Sequence, residues 1–169
     1  IDKYINTAKE SICMISISLK TGIDFDSICD VLIKKLKSSS KFKITVSLLN
    51  PDQDELFKAI EPCFGVDFKA LKSRTSESLF ELNKVRNNLK PKDRNRFTIK
   101  VHKTLPFGSV IILDGDSESG RIQIETKPYK VGMRKSFAFE IINNGNEFYQ
   151  TLKSSFYDLL DDAIIYNKI

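Results

Sequence analysis

Residues 96–129 read RFTIKVHKTLPFGSVIILDGDSESGRIQIETKPY and hold the chain's only histidine, its most apolar run and two of its five prolines. Phe97, Ile99 and Val101 alternate with Thr98, Lys100 and His102, the period of a strand with one buried face. Val110 to Leu113 is apolar at every position, which predicts a strand covered on both sides. Asp114-Gly-Asp116 ends it in a turn, and the loop to Gly120 leads into Arg121-Ile-Gln-Ile-Glu125, a third alternating strand. The middle of the chain is therefore expected at the centre of a sheet, with its loops as the place to look for a site.

Outward from this stretch, the same patterns set the order of elements. Asp2 to Glu10 predicts a short amphipathic helix, and Ser11 to Leu19 a first strand, because the run is short and β-branched. Gly22 to Asp26 predicts a turn; Asp26 or Ser27 can cap a helix carrying Ile28, Val31, Leu32 and Leu36, closed by Ser38-Ser-Ser40. Lys43 to Leu49 predicts a second strand stopped by Pro51, with Asp52 free to cap the next helix. Strand, helix and strand in this order imply a right-handed crossover between parallel strands. Glu55 to Ile60 is expected as a short helix broken by Pro62 and Gly65, and Val66 to Leu89 as a long one limited by Pro91. Lys127 to Arg134 follows as a loop. Ser136 to Ile141 predicts a strand whose two phenylalanines share a face, and Glu147 to Tyr166 a helix burying Phe148, Leu152, Phe156, Leu159, Leu160 and Ala163.

A chain of 169 residues suits one domain spanning 1–169, long enough to bury roughly 70% of its unfolded surface. It opens on Ile1-Asp-Lys-Tyr without an initiator methionine or signal peptide, which reads as a domain excised from a longer chain. Hydrophobic residues make up 41% and charged residues 29%, and no apolar run approaches the ~20 residues that cross a bilayer, so no membrane role is expected. Cys13, Cys29 and Cys63 are odd in number and lack zinc-ligand spacing, which predicts free thiols and a cytoplasmic setting. The net charge of +5 permits a polyanionic partner, but the bases are interspersed with acids. Lys34, Lys35 and Lys37 are accounted for by the macrodipole of a helix end. Asp158, Asp161 and Asp162 read as a solvated helix face, so no metal and no cofactor are expected.

No Walker-type phosphate loop, GxGxxG turn, metal-binding histidine pair or nucleophile elbow occurs. The order of elements, with strands ESICMISISL and KITVSLLNPD, a long helical excursion and a strand pair ending in SVIILDG, resembles one half of the phospholipase D-like superfamily over most of the chain. That resemblance implies an α/β fold, a mixed, largely parallel central sheet flanked by helices in an α-β-α sandwich. Active members carry their chemistry on two His-x-Lys-x4-Asp motifs, which supply a nucleophilic histidine, a phosphate-binding lysine and an orienting aspartate. Laid on Asp114, the spacing puts the histidine position at Phe107 and the lysine position at Ser109. A phenyl ring has no lone pair for phosphorus, and a serine hydroxyl does not neutralise charge on phosphoryl oxygens. No catalytic residue is therefore assigned, with His102 the one fallback. Lys103 at its +1 position would point to the opposite face of the strand.

Leu105-Pro-Phe-Gly-Ser109 fixes the backbone entering a buried strand, and close approach at Gly108 fits either a ligand wall or a tight chain path. His102, Phe107, Ser109, Glu125, Lys127, Tyr129 and Arg134 are the candidate ligand-binding residues, with Lys130 on the same rim, suited to a small anionic or nucleotide-like ligand. The reading is a non-catalytic ligand-sensing or regulatory domain that self-associates as a homodimer and serves an attached effector or DNA-binding module. Two alternatives stand beside it: a phosphodiesterase or nuclease using His102 across a homodimer, and a non-catalytic nucleic-acid-binding domain whose affinity falls with salt.

Overall fold

Runs of β-branched residues form the sheet, and the helical crossovers between them set its order. In the computed structural model, which describes residues 1–20, 24–106, 108–126, 130 and 136–167, a single helical turn, Asp2–Ile5 (α1), leads into Ser11–Ser16 (β1). Phe25–Ser38 (α2) then crosses to Lys43–Leu49 (β2), and Asp54–Phe64 (α3), Phe68–Asn87 (α4) and Pro91–Arg94 (α5) connect β2 to Phe97–His102 (β3). Ser109–Leu113 (β4), Arg121–Thr126 (β5) and Phe137–Ile142 (β6) follow, then Glu147–Asp162 (α6) and Ile164–Ile165 (β7). The seven strands lie in the order β6-β5-β4-β1-β2-β3-β7.

The sheet is mixed and flanked by helices on both faces, as expected, but it is not largely parallel: among the described strands two pairings are parallel and four antiparallel. Parallel pairing is confined to β1, β2 and β3, where helical crossovers carry the chain back. β4, β5 and β6 pair antiparallel beyond β1, and β7 pairs antiparallel with β3. The centre is β1, not the 96–129 stretch, whose strands β3 and β4 lie on either side of the β1–β2 pair. The first crossover places β2 on one edge of β1, and β4 pairs along the other.

One face of the sheet, with Met14, Val46, Ile99 and Ile111, packs on Leu32 and Leu36 of α2 and on Leu79 and Leu82 of α4. The other face, with Ile15, Val110, Ile112 and Ile124, packs on Tyr149, Phe156 and Leu160 of α6. A third cluster joins Leu49 to Phe57, Phe64 and Leu71 of the α3–α4 hairpin.

Several boundaries differ from those the sequence predicts. Asp24, not Asp26 or Ser27, caps α2 by accepting the Ser27 N–H at 3.4 Å. Gln53, not Asp52, stands at the cap of α3. That helix runs through Pro62 despite the hydrogen bond the missing N–H forgoes, and burial of Phe64 favours completing the turn. Gly65, with φ 64°, then provides the left-handed cap. In α6 the predicted stripe holds at Leu152, Phe156, Leu159, Leu160 and Ala163 but not at its start: Tyr149 is buried and its hydroxyl donates to the Gly115 carbonyl at 3.0 Å, while Phe148 is exposed. α6 also stops at Asp162, since Ile164 and Ile165 instead pair with Val101 and Lys100 along the open edge of β3. All three cysteines are free, Cys13 and Cys29 are buried, and burial pushes both thiols up to about 12.

The turn after β4 is tied to the start of β1 by Asp114. The residue is 4% exposed, and its carboxylate accepts the backbone N–H groups of Lys9 at 2.8 Å, Glu10 at 2.7 Å and Ser11 at 2.9 Å. Its backbone is left-handed, φ 50°, a conformation that aspartate and asparagine adopt more readily than alanine. Asp114→Ala should therefore destabilise the protein by about 3 kcal/mol, removing one buried carboxylate that serves three part-buried backbone donors. Asp114→Asn should lose clearly less, because Oδ1 still serves Glu10 and Ser11. Urea denaturation of both variants measures this, and equal losses would contradict it.

Candidate functional site

The residues singled out in the sequence fall on two faces of the sheet. On β4, Ser109 alternates with Val110 and shares its side with Ile111 and Leu113, which belong to the core beneath α2 and α4. On β3, His102 follows Val101 of that same core and so points to the opposite face. β4 and β3 are also separated by β1 and β2, three strand steps or about 14 Å across the sheet. Ser109 and His102 therefore do not share a pocket.

His102 is 1% exposed and pairs with Leu49 in the β2–β3 ladder. Its Nδ1 shares a hydrogen bond of 3.0 Å with the Ser47 hydroxyl, and Nε2 has no hydrogen-bond partner among the described residues. Burial holds the ring's pKa down to about 4, so the imidazole is neutral near pH 7. The neighbouring cation on the same face, Lys100, donates to the Leu160 carbonyl at 2.5 Å and closes the last turn of α6. Lys103 is exposed. An imidazole packed in this way is not presented to a phosphodiester.

Around Ser109 a chain of small hydroxyls is bordered by one carboxylate, Glu125. Its hydroxyl shares a hydrogen bond of 2.9 Å with Ser16 at the end of β1, and Ser16 also donates to the Ser18 carbonyl at 3.1 Å. Ser18 in turn meets Ser78 of α4 at 3.3 Å. Glu125 pairs with Ser109 across the β4–β5 ladder and is half-buried. Ser16, Ser109, Gln123 and Glu125 line a cavity of about 20 Å³ with Met14 and Leu19. That volume suits one water molecule. Gly108 is explained by chain path: a methyl group there would stand 2.4 Å from the Glu125 carbonyl oxygen, so β5 itself is what approaches closely.

Phe107, Lys127, Tyr129 and Arg134 lie outside the described residues. Lys130 is exposed, and its backbone N–H donates to the Pro62 carbonyl at 3.2 Å. Ser16, Ser18 and Ser78 are not singled out by the sequence pattern. The alternation Ser16-Ile-Ser18 is the available signal, but the role of Ser78 depends on how α4 crosses the sheet. Among the described residues no cluster of histidine, cysteine, aspartate or glutamate is arranged to hold a metal ion.

This architecture recurs in solved structures. The phospholipase D family member Nuc from Salmonella typhimurium superimposes with a TM-score of 0.58 over 99% of this chain and 88% of its own, at 14% identity. TrmBL2, an archaeal chromatin protein, gives 0.54 at 10% identity over 98% of this chain and 48% of its own, so the chain spans about half of that protein. NucT from Helicobacter pylori gives 0.48 at 14% identity, covering 98% and 87%. No family model and no curated protein matches the sequence. The fold is phospholipase D-like.

The sealed histidine makes stability depend on acidity. Unfolded, the ring takes a proton near 6.5; folded, only near 4. Between those values the unfolded chain binds more protons, so this group's contribution to stability is complete above about 6.5 and falls as the pH drops to about 4, by up to about 3 kcal/mol. His102→Gln should lose that part of the slope. Urea denaturation from pH 7 to pH 4 should show the stability difference between wild type and variant narrowing as the pH falls; a constant difference would remove the assignment.

Proposed function

We propose that this chain is a non-catalytic, regulatory domain of phospholipase D-like fold that acts by binding an anionic ligand and by self-association, and passes this on to an attached effector or DNA-binding module. The observation that carries the reading is the division of the two key residues between faces: Ser109 in a hydroxyl cluster on one, His102 buried on the other. Ser109 occupies the position where the resemblance would require a phosphate-binding lysine, and a hydroxyl bonded to Ser16 brings no positive charge to that position. A nucleophilic role for His102 across a dimer would require the ring to leave its bond to Ser47 and its packed position.

The test is turnover. Neither a bis-nitrophenyl phosphodiester nor duplex DNA should be hydrolysed above background, and His102→Ala should leave that background unchanged. A robust activity abolished by His102→Ala would overturn the proposal.

Self-association is supported by β6, an edge strand with Phe137 68% and Phe139 43% exposed on one face. A second copy of this strand pairing antiparallel with Phe139 opposite itself would set Phe137 against Ile141 and Glu140 against Ala138, keeping the two glutamates apart. Phe139→Glu should then shift a sedimenting dimer to monomer. A monomeric wild type across the micromolar range would remove this part of the reading. The attached-module reading is compatible with TrmBL2, an archaeal chromatin protein described as having a novel mode of DNA binding, of which this fold is about half.

A further inference from the structure

Residues 34–43 and 84–96 carry eleven of the chain's 27 basic residues and only one of its 22 acidic ones, Asp93. The remainder, with sixteen basic and 21 acidic residues, is net negative, so the chain's excess positive charge resides in these two stretches. They are far apart in sequence and adjacent in the fold. Arg96 joins them: its guanidinium donates to the carbonyls of Leu36, Ser39 and Phe42 at 3.0, 2.8 and 2.7 Å, and to Asp93 at 2.6 Å. The single acid is thereby engaged internally, and the lysines around it face water.

Between the stretches lies a concave surface of about 650 Å³, lined by Lys37, Ser40, Asn88, Lys90, Lys92 and Arg96. It sits where β2 and β3 begin, at the end of the sheet away from Ser109 and His102. The acidic turn at 114–118 stands across β1 from it, with Asp114 buried and Asp116 paired to Lys153 at 3.1 Å. Helix macrodipoles account for Lys35 and Lys37 in the last turn of α2 and for Lys84 and Arg86 in that of α4. They do not account for Lys41, Lys43, Lys90 and Lys92, which lie outside those helices. Among the described residues no ion pair engages Lys37, Lys41, Lys90 or Lys92.

We propose that this surface binds the phosphate backbone of a DNA duplex, without reading its sequence. Lysines with serine and asparagine donors in a shallow concavity suit phosphate and sugar oxygens. Phe42 and Phe97, the aromatic residues of and beside the two stretches, are each 1% exposed, so the surface offers no stacking platform for single-stranded bases. None of the exposed large apolar side chains lies in either stretch, so nothing there inserts into a lipid surface. The proposal rests on the binding half of the function proposed above and is independent of catalytic silence.

The test is fluorescence anisotropy of a labelled mixed-sequence DNA duplex from about 50 to 200 mM salt. Wild type should bind at low salt and release steeply as salt rises. Lys37→Glu, Lys90→Glu and Lys92→Glu together should weaken binding at least tenfold and lower the log–log salt slope by roughly 0.9 for each phosphate no longer neutralised. The control, Lys3→Glu, Lys69→Glu and Lys103→Glu, has the same net charge and should bind nearly as wild type does. Circular dichroism melts check folding, and the Lys→Gln triple replaces the reversal if that variant unfolds. No wild-type binding at low salt, salt-insensitive binding, equal loss in both triples, or a preference for single strands or phosphatidylserine vesicles would each overturn the proposal. Cleavage of the bound duplex would overturn catalytic silence and leave this surface standing.

Discussion

The carboxylate of Asp114 is the constraint on which the sheet's order depends. Three consecutive backbone donors, from Lys9 to Ser11, converge on it, and the Asp114 N–H returns a bond to the Ser11 carbonyl at 3.0 Å. These bonds lock the end of β4 to the beginning of β1 and so fix the antiparallel register in which Ile12 faces Leu113. β1 is the central strand, with parallel pairing on its other side to β2. A slip of one residue at Asp114 would turn every side chain of β4 to the wrong face and expose one of two cores. Both carboxylate oxygens of Asp114 are committed to backbone.

The elements most legible in the sequence are those whose pattern is local. Lys43 to Leu49 and Phe97 to His102 appear as strands with the predicted ends, because alternation and turn residues fix them without reference to the rest of the fold. Where tertiary packing competes with local preference, the local pattern misleads. Phe148 and Tyr149 are equally suited to an apolar stripe, and the choice falls to Tyr149 because its hydroxyl finds the Gly115 carbonyl. Ile164 and Ile165 continue a helical spacing, yet the unpaired edge of β3 captures them. Such a capture depends on which strand ends up at the edge.

The candidate site is legible in parity but not in position. Alternation along 97–102 correctly separates His102 from Lys103, but the facing of His102 relative to Ser109 depends on the intervening loop and on the order β4-β1-β2-β3. The basic surface escapes a linear reading for the same reason. Each of its two stretches looks ordinary alone, a lysine-rich helix end and a basic loop. Their juxtaposition is created by the crossover that starts β2 and β3 side by side, with Ile44 donating to the Arg96 carbonyl at 2.8 Å.

The two ends of the sheet follow opposite electrostatic logic. At the Ser109 end, the hydroxyls of Ser16, Ser18, Ser78 and Ser109 bond to one another and to backbone. At the Arg96 end, exposed ammonium groups crowd around one guanidinium whose only carboxylate partner is already shared with it. Like charges held together by the backbone repel, by a modest amount in water and by less as salt is added. The macrodipoles of α2 and α4 offset part of that repulsion, but Lys90 and Lys92 lie past the end of α4 on the far wall of the recess and gain nothing from it. Relief for those groups has to come from outside the chain, from mobile counterions or from an anion whose charges are spaced to match. A duplex backbone, with its phosphates fixed in two rows, supplies several matching charges at once and releases counterions as it docks.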